Sequence, residues 1–372
     1  MFLTLTGVAS LAVWLYLLLA RGGFWRMRPD VATGRLRMPA PSVTAVVPAR
    51  NEAGVVARSV ASLAAQQYSS EFQLVLVDDD SQDGTAAIAL QTAPQLRLVT
   101  ARPLPAGWTG KVWAVAEGVR GMESDYLLLT DADIVHPPDH LAMLVARAQE
   151  GGYDLVSYMV RLQCRTLAEQ ALIPAFVFFF FLLYPPAWIR DPSRRTAGAA
   201  GGCILIRRGA LERIGGIACI AGELIDDCAL ARAVKSSGGR VWLGLSDMAA
   251  SIRQYRTVGE IGRMISRTAY TQLGYSPLVL AGTVAGLALT YLAPPLLTLA
   301  GPRGAANGLG ALAWLLMTAA YLPAVRYAKL PWFWAPLLPA IALFYLGATL
   351  HSAFAHWRGR GGMWKGRAHS VK

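Results

Sequence analysis

Hydrophobic and polar positions divide this chain into three textures. Phe2 to Ala20 is apolar throughout and then meets Arg21, Arg26 and Arg28. That length matches the ~20 residues needed to cross a bilayer. No basic stretch precedes the run and no small-x-small cleavage site succeeds it. Residues 1–24 therefore read as an uncleaved anchor, with the arginines holding the adjoining domain in the cytoplasm. At the other end, Leu278–Ala300, Leu309–Tyr327 and Phe333–Phe354 are three more apolar runs, rich in Ala, Leu, Gly and Trp. They predict membrane helices over 276–356. If all three cross, the tail 357–372 lies outside. Its Arg358, Arg360, Lys365, Arg367 and Lys372 argue for inside. A re-entrant run would resolve this, and the first run, with Pro294-Pro295, is the weakest span; both topologies stay open.

The middle, residues 25–275, has a soluble texture in which short β-branched runs alternate with helical stretches. Strands are predicted at Val43–Val47, Leu74–Val77, Arg97–Thr100 and Tyr126–Thr130. Helices are predicted at Glu52–Gln67, Asp83–Gln91 and Lys111–Gly121. This alternation predicts βαβ units and a mostly parallel, Rossmann-like α/β sheet flanked by helices. Ligands of such a sheet bind at the carboxyl ends of its strands. Ala171–Ile189 breaks the texture: seven aromatic residues from Phe176 to Trp188 sit in an apolar stretch with Pro174, Pro185 and Pro186. Spanning there would split the domain across the bilayer. The segment reads as an interfacial helix that admits a lipid, or as a buried core helix.

Composition narrows the class. Hydrophobic residues make up 54% and charged ones 16%, against roughly 45–50% and about 25% in soluble proteins. An ordinary soluble enzyme and a disordered chain are both disfavoured. The net charge of +12 comes from arginines that mostly flank apolar segments. It therefore points to an anionic membrane surface and not to nucleic acid. Cys164, Cys203, Cys219 and Cys228 form no C-x-x-C pair, so they signal neither a zinc motif nor a disulfide framework.

Polar clusters fall just after three predicted strands. Val47 runs into Pro48-Ala49-Arg50-Asn51-Glu52, Val77 into Asp78-Asp79-Asp80-Ser81-Gln82-Asp83-Gly84-Thr85, and Thr130 into Asp131-Ala132-Asp133. Turn chemistry explains any one of them. Three at successive strand ends point to a site where carboxylates meet a metal or hydrogen-bond donors. Mg²⁺ or Mn²⁺ takes one or two carboxylates plus substrate phosphates, and Asp131-x-Asp133 offers such a pair. Neither G-x-G-x-x-G, a P-loop nor a G-x-S-x-G elbow is present. His136 and His140, separated by Pro137-Pro138, read as ordinary loop residues.

These residues resemble family 2 glycosyltransferases, the inverting nucleotide-sugar enzymes of the GT-A fold. The matches are V-V-P-A-R-N-E at Val46–Glu52, D-D-x-S-x-D-G-T at Asp78–Thr85, Gly110-Lys111 with Ala114 and Gly118, and L-L-T-D-A-D at Leu128–Asp133. Gly201-Gly202 with Ile206-Arg207-Arg208 and Gly215-Gly216 is similar to the family's glycine-rich sugar and acceptor segment. Ile225-Asp226-Asp227 with Leu230 and Arg232 is similar to its E-D catalytic motif. The apolar ends and the Trp357-Arg358-Gly359-Arg360 tail look like the membrane-bound branch acting on lipids, and within it most like the hopanoid-biosynthesis-associated glycosyltransferases. Two positions depart from the pattern. Asp226 stands where the motif has Glu, and the family's [QR]-x-x-R-W is Arg253-Gln254-Tyr255-Arg256-Thr257 here, without the Trp.

The resemblance implies a multi-pass protein of a bacterial-type cell membrane that moves a sugar from a nucleotide donor, UDP by expectation, to a lipid hydroxyl. Asp227 would be the general base. Pro48, Ala49, Glu52, Asp79, Lys111, Asp131 and Asp133 would bind the donor, with the divalent metal on Asp133. Gly201, Gly202, Asp226, Arg253 and Arg256 would face the acceptor or the diphosphate. Asp226 and Asp227 also read as a helix N-cap pair, and Arg253 and Arg256 as a basic strip on the membrane. Two other functions stay in view: a processive polysaccharide synthase, which the missing Trp counts against, and a non-catalytic nucleotide-sugar-binding scaffold, which the retained Asp133 and Asp227 count against.

Overall fold

Strands β1 (Val43–Ala49) and β4 (Tyr126–Thr130) are buried at every position, and β2 (Phe72–Asp78) is buried from Leu74 onward. Continuous apolar runs of this kind belong to strands covered on both faces. In the computed structural model, which describes residues 1–30, 35–301 and 303–359 and the backbone of 363–364 and 367–368, they form the middle of an eight-stranded sheet. The remaining strands are β3 (Arg97–Thr100), β5 (Ile134–Val135), β6 (Leu155–Arg161), β7 (Cys203–Arg207) and β8 (Val241–Ser251). Their order is β3-β2-β1-β4-β7-β6-β8-β5. The expected basic tail from Arg360 onward lies outside the described residues, apart from that backbone.

The first half of the sheet is parallel, β1 pairing with β2 and β4, and β2 with β3. The second half is mixed. β7 runs antiparallel to β4 and β6, β5 antiparallel to β8, and β6 parallel to β8. The expected strands agree with the observed ones to within a residue or two. The expected helix Glu52–Gln67 begins only at Val56. Residues 51–53 are held instead as a loop, with Asn51 at φ 51° and the amides of Asn51, Glu52 and Ala53 donated to side chains of the neighbouring loop. The helix Gly110–Val119 lies close on the sheet because Gly118 has no side chain. A Cβ there would fall 2.4 Å from Val46 Cγ1 and 2.7 Å from Val77 Cγ2. His136 and His140 are not the ordinary loop residues expected. Both are buried, and His140 opens the helix His140–Gly151.

Two compact units emerge, neither continuous in sequence. Among the described residues, the sheet unit takes Pro29–Gln163 and Trp188–Arg253; the helical unit takes Met1–Arg28, Cys164–Ala187 and 254–359. Within the helical unit, Leu167–Leu183 opens on a capping box in which Thr166 Oγ1 accepts from Glu169 N–H and the Glu169 carboxylate accepts from Thr166 N–H. The other oxygen of Glu169 accepts from Tyr255 N–H. Phe178 packs edge-on against Phe24 and Tyr321, and Phe179 against Tyr291 and Tyr345. The run expected at Leu278–Ala300 is a broken helix: Pro277–Leu287, a π-helical turn Ala288–Leu292, then Ala293–Leu299. Ala305–Tyr327 and Leu338–Trp357 complete the set. Five helices among the described residues are long and apolar enough to cross a membrane: Phe2–Leu19, Leu167–Arg190, Pro277–Leu299, Ala305–Tyr327 and Trp332–Trp357.

Candidate active site

The loops leaving β1 and β2 are stitched together by hydrogen bonds between side chains and main chain. Asn51 N–H donates to Ser81 Oγ (3.0 Å), Glu52 N–H to Thr85 Oγ1 (2.8 Å) and Ala53 N–H to Asp83 Oδ2 (2.9 Å). In return, Gln82 N–H donates to Asn51 Oδ1 at 2.9 Å. Asp79 N–H donates to Ala49 O, continuing the sheet past its last paired residues. The Arg50 guanidinium donates to Asp79 O and lies 3.5 Å from Asp79 Oδ2. The polar runs after β1 and β2 thus form one rigid wall, with Asp79 buried in it.

Lys111 stands at the centre of a second group. It is the second residue of the helix Gly110–Val119, and its Nζ lies 3.0 Å from Asp131 Oδ1 and 3.2 Å from Asp226 Oδ2. Asp226 and Asp227 are the first residues of the helix Asp226–Ser236. Asp227 Oδ2 accepts from Gly201 N–H (2.8 Å) and Oδ1 from Cys228 N–H (2.7 Å). Gly201 leaves little room for a side chain: a Cβ would lie 3.2 Å from both Asp227 Oδ2 and Lys111 Nζ. Pro48, Lys111, Asp131, Gly201, Asp226 and Asp227 line one cleft, together with Leu129, Ile204, Ile217 and Leu230.

Electrostatics divides the labour among these groups. Burial alone would push the Lys111 ammonium toward neutrality, but Asp131, Asp226 and Asp227 outweigh it and hold the charge. Asp131 is raised by burial and by Asp133, with Lys111 opposing. Burial, and after it the charge of Asp226, pushes the Asp227 carboxyl up to about 6, against the pull of Lys111 and two amides. A carboxylate so placed is a stronger base than an exposed one and is still ionised at neutral pH.

Arg253 ties the two groups of loops together from the end of β8. Its Nε donates to Asp133 Oδ2 and its Nη2 to Glu52 Oε1, each at 2.7 Å. Ser251 Oγ also donates to Asp133 Oδ2. Asp133 thus uses Oδ2 for Arg253 and Ser251, while Asp131 uses Oδ1 for Lys111. One oxygen on each carboxylate is left by these bonds, and two hard oxygens of this kind suit Mg²⁺ or Mn²⁺.

Of the residues singled out in the sequence, Pro48, Lys111, Asp131, Gly201, Asp226 and Asp227 meet in the cleft, and Glu52, Asp133 and Arg253 meet in the arginine bridge. Ala49 and Asp79 belong to the stitched wall. Gly202 serves through its carbonyl, which accepts from Thr130 Oγ1 at 2.8 Å. Arg256 belongs to the helical unit, where its N–H donates to Glu260 Oε2. Sequence reasoning gave no role to Arg50 or Ser251. Arg50 stood inside a quoted motif beside an acidic run, a signal that was present. Ser251 carried none, because only the pairing of β8 with β5 sets it beside Asp133.

Residues 44–215 match the family described as Glycosyl transferase family 2. Undecaprenyl-phosphate 4-deoxy-4-formamido-L-arabinose transferase of Photorhabdus laumondii is 33% identical over 118 residues, a stretch that takes in 31% of this chain and 35% of that protein. Among solved structures, a mannosyltransferase from Pyrobaculum calidifontis in complex with GDP-Man and Mn²⁺ superposes with a TM-score of 0.57 at 21% identity, covering 94% of this chain and 98% of that one. At that identity the likeness concerns the fold alone. Residues 44–215 thus match glycosyltransferase family 2, and the fold is that of the GT-A glycosyltransferases.

Proposed function

We propose that this protein is a membrane glycosyltransferase that moves a sugar from a nucleotide diphosphate donor to a lipid hydroxyl by a single inverting displacement. The observation that carries the reading is Lys111 held between Asp131 and Asp226, with Asp227 beside them in the same cleft. The acceptor oxygen bonds to the anomeric carbon as the bond to the diphosphate breaks, and the hydroxyl proton passes to Asp227. Lys111 and Arg253 supply fixed positive charge where the leaving diphosphate accumulates negative charge. Asp79, Glu52, Pro48 and Ala49 are assigned to the nucleoside. Asp133, with Asp131, would hold Mg²⁺ or Mn²⁺, which when bound supplies Lewis-acid neutralisation of the diphosphate. UDP is the donor we favour. A hydroxylated polycyclic lipid of the hopanoid class is the acceptor we favour, because the chain combines a GT-A domain with apolar helices and lacks the Trp of polymer synthases. The sheet unit is assigned to the cytoplasmic side of a bacterial-type inner membrane on the strength of Arg21, Arg26 and Arg28. A reporter inserted at Ser69-Ser70 should report cytoplasm.

A second reading draws on the Photorhabdus relative, whose name specifies a polyprenyl phosphate. A phosphate oxygen is already ionised at neutral pH and needs no base. The experiment is nucleotide release by the purified chain on adding UDP-sugars, Mn²⁺ and either a hydroxylated lipid or a polyprenyl phosphate. Turnover that depends on the hydroxylated lipid and is lost in EDTA and in Asp133→Ala supports the first reading. Turnover with the phosphate alone, unaffected by Asp227→Asn, selects the second. Full activity in EDTA would remove the metal from the reading.

A further inference from the structure

Behind the carboxylate edge, three side chains meet that play no part in the site above. His136 comes just after β5, His140 opens the helix His140–Gly151, and Cys203 begins β7, in register opposite Thr130 of β4. All three are buried, with His136 3%, His140 2% and Cys203 0% exposed. One nitrogen of each ring and Cys203 Sγ lie within 4.8 Å of one another.

The protons can be placed by counting. Thr130 Oγ1 lies 2.8 Å from Gly202 O, and a carbonyl only accepts, so the single hydroxyl proton points there. Thr130 Oγ1 must then accept at its 3.0 Å contact with His136 Nε2, which makes His136 Nε2 the protonated nitrogen. Burial holds both rings neutral, His136 well below its usual range and His140 down to about 4. His136 Nδ1 is therefore a bare lone pair and accepts from His140 Nδ1–H at 2.9 Å. The chain of donors ends at His140 Nε2, a second bare lone pair. It is buried and has no hydrogen-bond partner among the described residues. A buried polar atom left so costs about 1–3 kcal/mol, and the ring that carries it lies in a group with Cys203 Sγ and a second imidazole.

We propose that His136, His140 and Cys203 form a zinc-binding site in the sheet unit, distinct from the carboxylate pair Asp131 and Asp133. Two neutral imidazoles and one thiolate are the borderline and soft donors that Zn²⁺ prefers and that Mg²⁺ and Mn²⁺ do not. Zinc bonds of about 2.1 Å to nitrogen and about 2.3 Å to sulfur set neighbouring donors roughly 3.5 Å apart. Donors at the 4.8 Å limit then close by about 1.3 Å, and ring nitrogens at the 2.9 Å contact part by about 0.6 Å. The metal–nitrogen bonds replace the hydrogen bond between the rings. Burial raises the Cys203 thiol to about 12, so binding releases one thiol proton to solvent as the zinc–sulfur bond forms. Through Thr130 the site adjoins Asp131 by one peptide bond, so an occupied site would stiffen that end of β4.

The test uses the full chain in detergent, stripped with a chelator, loaded with Zn²⁺, desalted and measured by elemental mass spectrometry. Wild type and Asp133→Asn should each retain one zinc per chain. Cys203→Ser and His140→Gln should retain at least tenfold less. Cobalt loading of the wild type should give a thiolate-to-cobalt charge-transfer band in the near ultraviolet, a readout that needs no variant to fold. A wild type that keeps no zinc, or whose cobalt spectrum lacks the thiolate band, overturns the proposal. So does zinc that survives Cys203→Ser or is lost in Asp133→Asn.

Discussion

Asp227 has the most consequential environment of any single residue. Both of its oxygens accept amide protons, which fixes the carboxylate plane, and each keeps a further lone pair. Its raised pKa sets a direction with pH. Above about 6 the group is ionised and able to take a proton; below, it is protonated and inert. For a hydroxyl acceptor, kcat/KM should therefore fall about tenfold per pH unit below that point, because kcat/KM reports the free enzyme's groups. Asp227→Asn should bind the nucleotide sugar nearly as wild type does, lose about 10²–10⁴-fold in turnover, and no longer show that acid limb. Asp226→Asn should be milder, since Asp226 faces Lys111; a more severe loss there would reassign the base. Gly201→Ala tests the same spot sterically. A methyl 3.2 Å from Asp227 Oδ2 and Lys111 Nζ must displace one of them. Turnover should drop while the melting temperature changes little. An unaltered rate would mean the two groups have slack.

Elements place these residues, and the closest fit is that of the helix Gly110–Val119 on β1 and β2. Gly118→Ala drives a methyl into Val46 and Val77 at distances no real contact tolerates. The helix must lift, carrying Lys111 with it. Overpacking of this kind costs about 1–3 kcal/mol, and calorimetry of the detergent-solubilised chain should show the loss, together with weaker donor binding. Stability and binding equal to wild type would mean the helix is not held against the sheet as described. The first four strands were legible because each is a short apolar run bounded by turn residues. The start of the helix at Val56 was not. Its expected first turn is held open by Ser81, Asp83 and Thr85, residues about thirty positions away, and no local propensity carries that information.

For the whole molecule, the five long apolar helices make a direct expectation. The protein should stay with membranes through an alkaline carbonate wash and leave only with detergent; release by carbonate would remove spanning from the account. Amino-acid order alone determined the α/β class, the strand-end position of the three polar runs, and the apolar character of both ends, because these are periodic or local properties. It also held the motif residues from which Lys111, Asp131, Asp226 and Asp227 were read. Three things were decided only by the tertiary structure. The sheet turns mixed after β4, since pairing partners far apart in sequence choose strand direction. Cys164–Ala187 groups with the terminal helices, because an aromatic, proline-broken segment finds its apolar partners wherever the chain brings them, and hydropathy does not say where. Finally, His136 and His140 sit buried against Cys203, because the loop after β5, the helix it leads into and the first residue of β7 converge in space. Two prolines between two histidines give no hint of a third residue more than sixty positions away.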